Sequence, residues 1–451
     1  MLDYLPRNSR ITVFLEPYSS ALACILTFYA ALYMQGNGMD ARQIGLIATI
    51  AAMTGMLNQF VAAPITNRLG RRRTLLLFSV ICWSIPLLLW TLAAGFTLFL
   101  LAAVIFSFSR ITSVAWYCVA TEDVCDDHKS KIFGLLFITG SIGGLATAFA
   151  GPALEKFGLV PSMRFLYGFA FVSMTLMFII RHVLLTETRA GSELNDLHAG
   201  MTLGQTFRRH LSVVAASLKD REFRRLTLVY MLFNFAFAMS FVQILFINNV
   251  LKLTLTEISM MPPVTAIVSV TLFRFVVPRF RKTGEKNMLA MALAVYVSGL
   301  FLLLLIPHGN LGLTLLASAL IAAGAYLFQV CINAAMNNRM GLLHKADVYS
   351  AIQLLVTLAV IPAGYVAGKT FVLNPQLSVS LIGLIAAAAA VLTLLPLKME
   401  IPAIAKPGKA MNEGNGAAGP AASSPIGICF HGTAPRSKFS KKALLLLSEE
   451  D

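Results

Sequence analysis

Charge is what this chain has least of. Lys, Arg, Asp and Glu together make up 13% of 451 residues, against 57% hydrophobic residues, where a soluble domain carries roughly 25% charge. That excludes an ordinary solvated globule. Acids are scarcer than bases, 21 against 36, which leaves a net charge of +15. A basic excess can signal nucleic acid, but here the basic residues are dispersed between apolar runs instead of gathering on one face, so nucleic acid is excluded as a partner. The six cysteines, Cys24, Cys82, Cys118, Cys125, Cys331 and Cys429, show no CxxC spacing, and most fall inside apolar runs, which reads as packing by reduced thiols. No G-x-x-x-x-G-K-S/T phosphate loop occurs, so the chain holds no such ATP-binding module and no cofactor is implied. The acids Glu122, Asp123, Asp126 and Asp127, beside His128, lack the turn geometry of an oxygen-ligand metal loop. They read as a solvated or gating loop attracted to the basic loop at Arg68 to Arg73, with no metal.

What the sequence has instead is long apolar runs. A bilayer crossing takes about 20 apolar residues, and on that ruler the chain divides into twelve spans. The first runs from about Ile11 to Met34, behind Arg7 and Arg10. It exceeds the roughly 7 to 15 residues of a signal-peptide core and lacks a small-residue cleavage site, so it is read as retained. The other eleven centre near Gly55, Leu88, Arg110, Gly143, Met174, Phe237, Val268, Tyr296, Ala322, Val360 and Ala387. The fold class is therefore an all-α polytopic membrane protein. The loops that carry most of the basic residues alternate with loops that carry few, which predicts both termini in the cytoplasm. A long polar segment at 187–225 predicts a linker between a first six-helix bundle, 1–186, and a second, 226–398. Residues 399–451, rich in Gly, Ala, Pro and Ser, read as a disordered cytoplasmic tail.

One stretch organises the rest. Ala63-Pro64-Ile65-Thr66-Asn67-Arg68-Leu69-Gly70-Arg71-Arg72-Arg73-Thr74-Leu75-Leu76 reads as a tight basic turn between two spans, with Pro64 and Gly70 limiting the helix and the arginines too costly to bury in hydrocarbon. It resembles the loop between helices 2 and 3 of the major facilitator superfamily, roughly G-x-x-x-D-R-x-G-R-R/K-x-x-L. Arg68, Gly70, Arg71, Arg72 and Leu75 match, whereas Ala63 and Asn67 stand where the family usually has Gly and Asp. Pro64, Arg68, Gly70 and Leu75 recur at one offset as Pro278, Lys282, Gly284 and Leu289, the degenerate second copy expected of a parallel repeat. Thr186-Glu187-Thr188-Arg189 looks like the family's Pro-Glu-Ser/Thr motif without its Pro, and makes Glu187 a candidate partner of Arg71 or Arg72. A Gly-rich helix 5 ending in Gly151-Pro152 looks like the Gly-Pro motif of several proton-linked efflux members but lacks its full pattern, and close helix packing is the favoured account.

The resemblance implies two six-helix bundles that move a small solute by alternating access, in a plasma (inner) membrane, as a monomer, with protons as the coupling ion by analogy. The alternative is a membrane sensor or scaffold that kept the fold and lost transport, which the departures at Ala63 and Asn67 would suit. Helices 1, 4, 7 and 10 line the family's pathway, which nominates candidates for a polar or anionic solute. Arg110 lies mid-span, where charge is expensive. Tyr29 and Trp116 offer aromatic walls, and Asn234, Gln243, Gln329 and Asn333 offer amides, although amides also pair between helices. Glu16 is the nearest candidate counter-charge to Arg110 and a candidate coupling group. Where the family places an acid against the N-terminus of helix 11, this chain has Asn67, and Asp347 is a candidate replacement as a cap of that helix.

Overall fold

The computed structural model describes residues 5–124, 132, 135–136, 139–140, 143–188, 220–277, 285–339 and 345–395. Among these, eleven helices are long and apolar enough to cross a bilayer. The first bundle comprises α1 (Arg7–Gly36), α2 (Ala41–Leu69), α3 (Arg71–Leu92), α4 (Phe96–Thr121), α5 (Thr147–Phe157) and α6 (Leu159–Leu184). The second comprises α7 (Arg221–Asn249), α8 (Leu255–Val276), α9 (Glu285–Leu305), α10 (Leu311–Arg339), α11 (Lys345–Val360 and Ala363–Leu373) and α12 (Pro375–Leu394). The span expected around Gly143 corresponds to α5, whose described helix covers its second part. Large apolar side chains point outward from the bundle, with Phe14 79% and Phe149 83% exposed. A water-facing surface would not tolerate that display, but a hydrocarbon-facing one does.

Asn8, at the start of α1, donates to Asp123 just past α4 and to the Thr186 carbonyl just past α6. The chain's N-terminal end therefore shares one face with the ends of α4 and α6, here called the terminal face; the opposite face is the distal one. In the second half Arg225, near the start of α7, donates to the Leu395 carbonyl just past α12 at 2.9 Å.

Two sequence readings need adjusting. Pro64 does not end a helix, because α2 continues through it to Leu69 and the turn to α3 is the single residue Gly70. Membrane helices accept an internal Pro when neighbouring groups satisfy the freed carbonyl. The helix of the first span also begins ahead of its apolar run, at Arg7, and so includes Arg7 and Arg10. Pro278, Lys282 and Gly284 of the internal repeat, the linker residues 189–219 and the tail beyond Leu395 lie outside the described residues.

The halves join in their distal parts. Among the described residues, the hydrogen bonds between them run from Tyr29 Oη to the Leu255 carbonyl, from Thr256 N–H to Glu155 Oε2, from Thr147 Oγ1 to the Ser259 carbonyl and from Tyr365 N–H to Thr49 Oγ1. The tightest packing sets α2 against α11, backbone to backbone. A Cβ placed on Gly364 would lie 2.6 Å from the Gly45 carbonyl oxygen, and one on Gly45 or Gly368 would overlap the facing backbone of α11 or α2.

Candidate functional site

The terminal face of the first half is tied together at Gly70. This residue turns the chain at φ +82°, in the left-handed region open to glycine, and a Cβ there would also sit 2.8 Å from Glu187 Oε2. Glu187 accepts the N–H groups of Arg71 at 2.8 Å and of Arg72 at 3.1 Å. It thereby supplies an anion and two acceptors to the otherwise unsatisfied N-terminus of α3. The Arg71 guanidinium is buried and pairs with Glu122 at 3.2 Å, and Thr188 donates to the other Glu122 oxygen. Arg72 Nε donates to the His182 carbonyl at 2.9 Å. Burial alone would raise the Glu122 carboxyl, but hydrogen bonds from Thr188, Arg71 and Cys118, with the Arg71 charge, outweigh it and hold the group below its ordinary range.

Deeper in the first half is a cavity of about 280 Å³ with a charged lining. Glu16 enters it from α1 and Arg181 from α6. Ser20 Oγ donates to Glu16 Oε1 at 3.3 Å, and Arg181 Nη2 donates to Ser79 Oγ at 3.2 Å while its guanidinium stacks over the Phe178 ring at 5.3 Å. Trp83 and Trp116 complete the wall. Ser79 and Trp83 reach it from α3, which widens into one π turn at Val80–Ser84, ahead of Pro86. Such a turn absorbs a missing backbone bond and re-aims side chains.

A second cavity, about 860 Å³, lies between the halves. Helix α1 supplies Cys24, Thr27 and Phe28, and α7 to α10 supply the rest, with polar groups from Gln243, Tyr296, Tyr326 and Gln329. The lining has no Asp, Glu, Lys, Arg or His among the described residues. Among the described residues, Gln243 Nε2 and Tyr296 Oη are buried without a well-formed hydrogen bond, although the two side chains lie next to each other. The two cavities share α1, since Glu16, Ser20, Cys24 and Thr27 recur every three to four residues and therefore form one stripe along the helix.

The model of the Major Facilitator Superfamily matches residues 12–364. The chain belongs to the major facilitator superfamily. Members of this family are transporters, not enzymes. Solved structures share its fold at low identity. The nucleoside transporter NupG aligns with a TM-score of 0.65 at 13% identity, covering 86% of this chain and 98% of that one. The human organic anion transporter MFSD10 (TETRAN) gives 0.57 at 17%, covering 86% and 100%. A bacterial homologue of the iron transporter ferroportin, in an inward-facing state, gives 0.62 at 13%, covering 86% and 99%. No curated protein sequence matches significantly.

Within this superfamily fold the candidates read from sequence separate. Gln243 and Gln329 line the large cavity, and Trp116 and Glu16 line the charged one. Tyr29 is fully buried and bonds α8, so its hydroxyl is engaged in joining the halves. Asn234 donates to the Tyr230 carbonyl one turn back in its own helix, and Asn333 is exposed outside both cavities. Arg110 is exposed beside Gly55 and lines neither cavity, so the expected pairing with Glu16 is not formed. The arginine that shares a cavity with Glu16 is Arg181. Sequence reasoning did not single it out. Its signal was phase, because Met174 and Phe178 precede it at helical spacing on a buried face.

In the signature loop Glu187 meets Arg71 and Arg72 as expected, though through backbone N–H groups and not side chains. Arg68 is exposed and Asn67 half-buried. The helix carrying Asp347 starts at Lys345, which puts Asp347 in its first turn and not ahead of it. The side chain of Asp347, and with it the relation to Asn67, lies outside the described residues.

Proposed function

We propose that the chain is a secondary transporter that moves a small polar solute by alternating access, with its halves rocking about the cavity between them. The observation that carries this reading is the placement of that cavity. It is walled by α1 from one half and by α7 to α10 from the other, and the halves are fastened to each other on its distal side. A site at the seam of two bodies, closed at one end, is what a rocking cycle requires. A comparable fold is described as inward-facing. With the basic loop at Arg68 to Arg73 on the terminal face, the positive-inside rule puts that face, and both termini, in the cytoplasm of a plasma (inner) membrane. The open side then faces the cytoplasm. One chain completes the cavity, so the unit is a monomer in lipid.

Protons are the proposed coupling ion, with Glu16 as the carrier. It is a carboxylate inside a span, held near a basic partner, on the same α1 stripe that enters the solute cavity. Nucleosides and organic anions belong on the solute panel because neighbours of the same fold carry them by name. The test is solute flux in proteoliposomes with and without an imposed pH gradient, run over nucleosides, sugars, organic acids, amino acids and drugs. Flux that responds to the gradient supports the reading. Tight binding of a solute with no flux of any panel member would favour a sensor instead.

A further inference from the structure

Resting on the transport reading, we propose that the large cavity takes an uncharged, ring-bearing solute with hydroxyl or carbonyl acceptors, and that Gln243 and Tyr296 are the residues that read it. Three observations meet here. No acidic or basic side chain lines the cavity among the described residues, so an ionised solute would give up its hydration without gaining a counter-charge. Gln243 Nε2 and Tyr296 Oη lie beside each other at its wall, buried and, among the described residues, without a well-formed hydrogen bond to any group. Native interiors rarely leave such groups unpaired, and a bound solute that supplies an acceptor to the amide and a partner to the hydroxyl completes both. Phe28, Phe237 and Phe241 give flat apolar walls, and a volume near 860 Å³ is ample for a ring carrying polar substituents. While Glu16 is ionised, the charged pair of the neighbouring cavity, Glu16 and Arg181, is formally neutral together.

The test uses purified full-length protein and matched solutes differing by charge: uridine against uridine monophosphate, and a phenyl glucoside against the phenyl glucuronide. Binding is read by thermal shift and transport by counterflow in proteoliposomes. At least one neutral member is expected to bind and cross, with its charged partner at least 100-fold weaker. Tyr296→Phe removes only the hydroxyl, whose neighbour is the Gln243 amide, so the solute-free protein is expected to stay folded and melt close to the parent while its affinity for the neutral solute falls at least tenfold. Gln243→Leu is expected to lose affinity similarly. Transport of a charged member as well as or better than its neutral partner overturns this inference and leaves the transport reading standing. Unchanged affinity in both variants overturns the assignment of the two residues. If no solute of either kind binds or crosses, this inference falls, and the transport reading is decided by flux over the wider panel.

Discussion

Glu187 closes the first half of the molecule by accepting the backbone N–H groups of Arg71 and Arg72 at 2.8 and 3.1 Å. The residue that ends the first bundle thus caps the helix that follows the signature turn. Removing a helix cap costs about 0.5–2 kcal/mol. Glu187→Ala is expected to lower the midpoint of thermal unfolding in detergent, and Glu187→Gln, which keeps acceptors but loses the charge, should fall between. Equal midpoints for all three proteins would show that the contact does not hold α3 in place.

Glu122 makes the same face sensitive to acid. Its folded carboxyl lies below the ordinary range because the hydrogen bonds from Thr188 and Arg71 and the Arg71 charge outweigh burial. A depressed acid contributes stability that is fully present above the unfolded value, about 4.3, and is lost as pH falls through the folded one. Parent protein should therefore lose thermal stability on acidification below about pH 4.3. Glu122→Gln should start lower at neutral pH and change less in that window. Because the Arg71 guanidinium is buried, leaving it unpaired is expected to cost about 3 kcal/mol.

The charged cavity gives a prediction about coupling. With Glu16→Gln, flux is expected to lose its response to an imposed pH gradient while solute exchange persists, since the solute cavity is untouched. Arg181→Ala should impair transport at least tenfold, because it strips Glu16 of its basic neighbour and Ser79 of its donor. Arg110→Ala leaves both linings intact and should reduce flux less than tenfold. A gradient response retained in Glu16→Gln would remove this acid from the coupling step.

How much of this could be read beforehand varied with the kind of information each feature needs. Span number, the signature turn and the Glu187 contact follow from hydropathy length and local motif, which are one-dimensional. Arg110 looked central because it is central along its span, yet depth says nothing about which way a side chain faces. Arg181 sits three residues from the end of α6 and was not singled out, yet it shares a buried face with Met174 and Phe178. Pro64 was read as a stop because Pro is one in water-soluble helices, while in α2 it is only an interruption. The buried Tyr296 hydroxyl beside Gln243 was invisible, since that juxtaposition exists only in three dimensions.

Closure of the distal face depends on residues without side chains. A methyl group on Gly364 would lie 2.6 Å from the Gly45 carbonyl oxygen, with nothing flexible in the way. Overpacking of this kind costs about 1–3 kcal/mol, and the strain falls only on the closed distal arrangement. Gly364→Ala is expected to keep the protein folded and to raise the reactivity of Cys24, in the large cavity, toward a membrane-impermeant maleimide added from the distal side. Unchanged labelling at Cys24, read by peptide mass, would show that the close approach of α2 and α11 is not a gate.

The central claim is that the distal contact between α2 and α11 opens and closes during transport. Arg42 and Lys369 are exposed at the distal ends of these helices and flank the glycine contact. Spin labels at Arg42→Cys and Lys369→Cys, in a chain whose six native cysteines are replaced, report that distance in a lipid bilayer. The account predicts a short separation in the otherwise unaltered protein and a second, longer one that gains population with Gly364→Ala or with a transported solute. A single short separation that neither the substitution nor the solute shifts would contradict it.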